Sequence, residues 1–170
     1  EQDAQDRNYL ARDYNGLGIC CYNLHDFHQA LNYYDSALHY ADDSLLRANI
    51  LNNKGNAAKE LKSYALALAS YDSALKITAN SGATYARILT NKAITKWLRD
   101  PAYNAAPELW QSLNIRIHEN DVAGENSSYV HLSEFFVKSH PDSAIWYAQK
   151  MRIMAGVLHN PDEQLNALGK

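Results

Sequence analysis

Small and apolar residues recur along this chain with the spacing of helices, and no segment alternates steadily between apolar and polar residues as a strand does. Local signals mark where helices start. Asp26 with Gln29 three residues later is typical of a capping box, and Pro107 fits the first turn of a helix behind Asn104. The pattern predicts eight helices, near residues 4–24, 26–41, 44–61, 63–79, 83–99, 104–118, 123–138 and 141–158.

The chain contains an internal repeat. The pentapeptide Tyr-Asp-Ser-Ala-Leu begins at Tyr34 and again at Tyr71, which is an offset of 71 − 34 = 37 residues. The same offset places Gly18 on Gly55, so small residues recur where the two helices of a hairpin must approach closely. One residue gained in the loop at 100–103 would carry the register on, and the third repeat then places Ala106, Trp110 and Leu113 where repeat two has Ala67, Tyr71 and Ala74.

At these residues the chain resembles the tetratricopeptide repeat family, in which a small residue on the first helix packs near Ala, an aromatic residue and Ala on the second. The resemblance implies an all-α fold, a right-handed α-solenoid of antiparallel helix hairpins. It implies a single domain over residues 1–170, with repeats near 4–41, 44–79, 83–118 and 123–158. Asn160-Pro161-Asp162-Glu163 has the form of a helix start, so residues 161–170 are expected to begin a fifth repeat or to form a capping helix, which favours a fragment of a longer protein.

In this family the first helices line a concave groove, so the resemblance implies a scaffold that binds a protein or peptide segment there. Asn49, Asn52 and Asn56 form an i, i+3, i+7 stripe whose carboxamides can both donate to and accept from an extended peptide backbone. A solvated polar face is the alternative for the asparagines, and core packing is the alternative for Tyr22 and Phe136. The groove-facing positions implied by the family are Arg12, Asn15, Tyr22, Asn49, Asn52, Asn56, Lys59, Arg87, Thr90, Trp97, Tyr129 and Phe136.

Charge and composition exclude several partners. The 16 Lys and Arg residues against 19 Asp and Glu residues give a formal charge of −3, so no basic excess favours nucleic acid. No apolar run approaches the roughly 18 residues that would span a bilayer, and direct membrane insertion is not expected. Cys20 and Cys21 are adjacent, which strains a disulfide within a helix, and they are interpreted as two small core thiols.

The sequence offers no catalytic constellation, so we expect a protein that is not an enzyme and has no cofactor. His25 and His28 lie at one predicted turn but lack further ligands at suitable spacing, and no metal site is expected. The long period is similar to repeat regions that precede the output domains of bacterial signalling proteins, which would make this chain a sensory or interaction region. The alternative is a structural spacer or self-association module with an empty groove. Its location stays open between a periplasmic sensor region and a cytoplasmic adaptor.

Overall fold

A computed structural model describes residues 2–78 and 82–159, and all regular structure within them is helical. Each helix agrees with a predicted segment to within two residues at either end, which confirms the all-α class. The predicted start of a fifth repeat at 161–170 lies outside the described residues. The helices are α1 (Gln2–Asn23), α2 (Phe27–Tyr40), α3 (Ser44–Glu60), α4 (Tyr64–Ile77), α5 (Gly82–Arg99), α6 (Ala106–His118), α7 (Val122–Phe136) and α8 (Pro141–His159).

The chain divides into two compact units. The first unit is Glu1–Asn80 with Asn91–Tyr103, and the second is Ser81–Thr90 with Asn104–Lys170. In the first unit α1 packs against α2, α2 against α3, and α3 against α4. In the second unit α6 packs against α7, and α7 against α8. Short connections make these sequential neighbours antiparallel hairpins. The single domain over residues 1–170 stays a prediction.

The hairpins of the first unit turn through one residue with a positive φ, which is 61° at His25 and 58° at Lys62. The Asp26 side chain accepts a hydrogen bond from the backbone N–H of Gln29 at 3.1 Å, which confirms that Asp26 caps α2. His25 therefore serves the turn, and its ring lies 5.7 Å from that of Phe27.

Tyrosines on the second helices lie over glycines on the first helices. Tyr34 is 1% exposed and Tyr71 is fully buried. A Cβ atom at Gly18 would lie 2.4 Å from the Tyr34 ring, and one at Gly55 would lie 2.4 Å from the Tyr71 ring. The absence of a side chain at each glycine therefore makes room for a buried ring. Four fully buried alanines flank the rings, Ala30, Ala37, Ala67 and Ala74.

The third repeat departs from the predicted register. Trp110 is 43% exposed and does not take the place of the buried Tyr71. The connection at 100–105 has six residues against three at 61–63, so it is three residues longer rather than one. The buried positions of α6 are Leu109, Ser112, Leu113 and Arg116, whose spacing equals that of the buried Ala67, Ser70, Tyr71 and Ala74 in α4.

Side-chain volume is exchanged between the same two positions of the later repeats. Where the first two repeats have glycine and tyrosine, repeat three has Ala93 and Leu113, and repeat four has Leu132 and Ala148. The first-helix residue grows as the second-helix residue shrinks. This compensation is expected where close packing fixes the combined volume of two facing side chains.

The aspartate of the repeated pentapeptide links each second helix to the first helix that follows it. Asp35 forms an ion pair with Lys54, and Asp72 forms one with Lys92. These contacts explain why a lysine occupies position 54, where the repeat pattern favours an apolar residue. The two aspartate side chains are 58% and 50% exposed, so each pair contributes at most about 0.5 kcal/mol and mainly fixes the register of the helices.

The adjacent cysteines are both free thiols on α1. Cys21 is half-buried against the core of the first unit, whereas Cys20 is exposed. The prediction of two core thiols is therefore wrong for Cys20. Cys20 stands at the place that Ala57 holds in α3, where the residue faces the preceding helix.

Alkaline pH is expected to weaken the fold through Tyr34. Burial raises the pKa of its phenol from 10.0 to about 12. The unfolded chain then loses this proton first, so the stability is full below about pH 10 and falls as the pH rises from about 10 to about 12. We expect Tyr34→Phe to reduce this fall, measured as the free energy of unfolding in urea at about pH 8 and about pH 11. Tyr9→Phe, at a 52% exposed position, should leave it unchanged. An equal fall in wild type and Tyr34→Phe would refute the assignment.

Candidate functional site

Five asparagines on the first helices of the first unit form what we call the asparagine ladder, namely Asn15, Asn52, Asn53, Asn56 and Asn91. The Nδ2 atom of Asn53 donates a hydrogen bond to Oδ1 of Asn15 at 3.0 Å, which joins α3 to α1. The Nδ2 atom of Asn91 donates to Oδ1 of Asn52 at 2.8 Å, which joins α5 to α3. The two bonds are rungs of the same kind between consecutive first helices.

The geometry of a helix explains how α3 serves both rungs. Consecutive residues point about 100° apart, so Asn52 and Asn53 reach different neighbouring helices. Asn53 and Asn91 were not among the residues predicted for the groove. A second period would have revealed them, because Asn15, Asn53 and Asn91 follow one another at 53 − 15 = 38 and 91 − 53 = 38 residues.

The rungs leave hydrogen-bonding capacity for a ligand. Asn15, Asn53 and Asn91 are half-buried, whereas Asn52 is 2% exposed and is therefore a structural member of the ladder rather than a ligand contact. A carboxamide has two N–H donors and two acceptor lone pairs, and a rung uses only one of these at each end. The half-buried carboxamides can thus bond a peptide without breaking the rungs.

Asn56 is held from the second helix. Its Oδ1 atom accepts a hydrogen bond from the buried Tyr71 hydroxyl at 2.8 Å. Repeat one has Ile19 at the equivalent place, which is 40% exposed, so the contact belongs to repeat two alone of these two repeats. Asn49 is half-buried one turn before Asn52, and the predicted stripe lies on α3 with Asn52 turned towards α5.

Charged groups lie beyond both ends of the ladder. Arg12 is exposed one turn before Asn15, with its guanidinium carbon 5.9 Å from the Tyr9 ring. At the other end, Glu60 accepts a hydrogen bond from the Tyr22 hydroxyl at 3.4 Å and lies 3.4 Å from the Lys59 ammonium. Burial, and to a lesser extent the charge of Glu60, raise the pKa of Tyr22. Trp97 on α5 is half-buried. The centre of the face is neutral and its ends are charged.

The second unit uses three predicted groove residues for its own packing. Thr90 is 2% exposed and bonds the Ser112 hydroxyl at 2.7 Å. Tyr129 is 7% exposed and donates to the Glu125 carboxylate at 2.7 Å. Phe136 is 8% exposed. Because these side chains have almost no surface to offer, they are packing residues.

Phe136 is the middle ring of an aromatic stack. Its ring centroid lies 5.8 Å from that of Trp110 and 5.9 Å from that of Tyr147. The Trp110 indole N–H donates to the Tyr147 hydroxyl at 2.8 Å and closes the stack from α6 to α8. The alternative interpretation of Phe136 as a core residue is thus the one that fits the structure.

Arg87, the remaining predicted residue of this unit, is exposed. It lies near Arg116, which is 4% exposed and whose Nη1 atom donates to the Gly124 carbonyl at 2.6 Å and to the Ser128 hydroxyl at 2.9 Å. Burial lowers the pKa of Arg116 and the charge of Arg87 lowers it further, while Asp121 opposes both effects. Arg116 is a structural cation that ties α6 to α7.

Searches for two other kinds of site gave no candidate in the described parts of the chain. Residues 2–78 and 82–159 hold no group of three or more His, Cys, Asp or Glu side chains arranged to bind a metal ion. None of the described helices is both long enough and apolar enough to cross a membrane. A cleft of about 290 Å³ in the second unit is lined by Asp142, Ser143, Trp146 and Tyr147.

No protein-family model matches the chain, and no curated protein is significantly similar to it in sequence. Its structure, however, is similar to the crystal structure of a Rap protein complexed with competence and sporulation factor, with a TM-score of 0.73 over 83% of this chain. The fold is a tetratricopeptide-like α-solenoid. The sequence identity is 16%, so the similarity concerns the fold alone. The chain spans 42% of the length of that Rap protein.

Proposed function

We propose that this chain is a peptide-binding scaffold and that the asparagine ladder of the first unit is its binding face. The observation that carries the proposal is the repetition of one carboxamide rung across three consecutive first helices. Neutral carboxamides bind backbone N–H and C=O groups of any sequence, so such a face recognises an extended chain. A Rap protein of similar fold was crystallised with competence and sporulation factor, which supports a binding role for this fold.

The spacing of the rungs suits an extended peptide. Packed helices lie about 8–10 Å apart, and an extended chain advances about 3.3 Å per residue. Successive rungs therefore meet backbone groups about three residues apart, and the face from α1 to α5 holds about six residues. Arg12 is exposed beside this face and favours a ligand carboxylate, whereas Lys59 is already paired with Glu60.

We retain the interaction region of a larger bacterial signalling protein as the finer form of this proposal. A peptide that bonds α1, α3 and α5 together would stiffen three repeats at once. Ligand binding in such a scaffold can bias the conformation of whatever is attached to it.

A random-sequence peptide library, selected on the immobilised chain, supplies a probe for this face. We expect a selected peptide to bind Asn15→Ala and Asn53→Ala about tenfold or more weakly than wild type by isothermal titration calorimetry, because each variant removes one to two hydrogen bonds. Asn32→Ala is the matched control, since Asn32 is an exposed asparagine on the second helix α2. Equal affinity for all four proteins would exclude the ladder as the binding face.

A further inference from the structure

Each first helix has one face towards the second helix that precedes it. On α3 this face contains Arg47, Ile50, Lys54 and Ala57. The Arg47 guanidinium donates to two backbone carbonyls at the end of α2, both at 2.9 Å, and Lys54 pairs with a carboxylate of α2. Ile50 and Ala57 are fully buried in a cluster with residues of α2. We call these positions the preceding face.

The repeat offset of 37 maps the preceding face onto α1 as Leu10, Asp13, Leu17 and Cys20, since 47 − 37 = 10 and 57 − 37 = 20. All four residues are exposed, and Leu10 and Leu17 are 44% and 46% exposed. Leu24 continues the stripe and is 79% exposed. Leucines thus replace the two cations that bond α2, and an aspartate replaces the buried isoleucine.

The corresponding following face belongs to the second helix of a hairpin. On α8 it contains Ile145, Gln149 and Arg152, which stand 114 residues after Leu31, Asp35 and Leu38 of α2. The register is fixed by the helix starts, because the Ala144 N–H bonds the His140 carbonyl as the Ala30 N–H bonds the Asp26 carbonyl. Ile145 is 57% exposed and the neighbouring Ile153 is 58% exposed, whereas Leu31 packs against the core.

The second unit itself shows what covers such a face. By the burial register of α6, Trp110 stands at the place of Ile145 and Leu31. Trp110 stacks on Phe136 of α7, which is the next first helix. This position therefore contacts a following first helix in α2 and in α6, and on α8 it holds an exposed isoleucine.

We propose that the preceding face of α1 in one copy of this chain docks on the following face of α8 in a second copy, head to tail. The charges of the two faces are complementary, because Asp13 and Arg152 stand where Ile50 and Leu38 join one apolar cluster within the chain. The polar partners have been lost together, since Leu17 replaces Lys54 and Gln149 replaces Asp35. Pairing α1 with α1 would oppose two aspartates, and pairing α8 with α8 would oppose two arginines, which is unfavourable.

A head-to-tail contact leaves one free face at each end of the assembly, so it adds further copies unless a ring closes. Sedimentation of the full chain over a range of concentrations is expected to show growth beyond the dimer. Asp13→Arg and Arg152→Asp should each weaken association about tenfold, because each opposes like charges. All three residue changes lie on exposed positions, and circular dichroism checks that the variants stay helical.

The double variant with both Asp13→Arg and Arg152→Asp distinguishes the pairings. Head-to-tail docking restores association, because Arg at position 13 of one copy then meets Asp at position 152 of the next. Docking through α1 alone or α8 alone stays weakened or follows only one of the two substitutions, and either result would overturn the proposal. A wild-type chain that remains monomeric at every concentration, or single variants that associate as wild type does, would overturn it as well.

Discussion

Gly55→Ala is expected to destabilise the first unit by about 3 kcal/mol, at the upper end of the usual cost of overpacking a core. The added Cβ atom would lie 2.4 Å from the Tyr71 ring, which is fully buried and cannot move outwards. The ring is also held at its hydroxyl by the hydrogen bond to Asn56. Urea unfolding followed by circular dichroism measures the change in the free energy of unfolding.

Gly16→Ala is the matched control, because a Cβ atom at Gly16 meets nothing within 4 Å on a helix of the same kind. Alanine should stabilise that position by about 0.5–1 kcal/mol. Combining Gly55→Ala with Tyr71→Leu copies the Ala93 and Leu113 pair of repeat three and should recover part of the loss. A Gly55→Ala variant as stable as wild type, or an equal loss in Gly16→Ala, would refute the packing of tyrosine on glycine.

Phe136→Ala is expected to cost about 3–5 kcal/mol, the range for removing a buried aromatic ring. The variant leaves a cavity between Trp110 and Tyr147, whose rings contact both sides of Phe136. Urea unfolding gives the stability, and the tryptophan fluorescence spectrum should shift because the surroundings of Trp110 change.

Val137→Ala provides the control for Phe136, since Val137 is the next residue and is 58% exposed. Its stability should stay within about 0.5 kcal/mol of wild type. Phe136→Leu keeps most of the apolar volume and should cost less than the alanine variant. Unchanged stability of Phe136→Ala together with weaker peptide binding would return Phe136 to the ligand-binding residues.

The helices could be predicted because their signals are local. Asp26 and Pro107 mark helix starts through the conformations of their own neighbours, and the repeated pentapeptide fixes the first two repeats. The register of α6 could not be predicted in the same way. Its buried face also accommodates small and polar residues such as Ser112, and periodicity alone does not determine how many residues the preceding loop contains. An aromatic residue at 110 was therefore assigned to the core although it lies towards the next helix.

The candidate site was only partly predictable for a related reason. A row of asparagines on one helix face is visible in the sequence, but the choice between Asn52 and Asn53 as the exposed residue depends on where α1 and α5 lie. Phe136 has the same spacing whether it faces a ligand or the core, and only its contacts with neighbouring helices decide between the two. Long-range packing thus determines which polar and aromatic positions remain accessible.

The most direct test of the asparagine ladder uses the library-selected peptide with one backbone nitrogen methylated at a time. Each methyl group removes one N–H donor and leaves every side chain unchanged. We expect affinity to fall about tenfold or more at positions that recur about every three residues, because the rungs follow the spacing of the first helices. A peptide that tolerates methylation at every nitrogen and responds only to side-chain changes would contradict recognition of the backbone by the ladder.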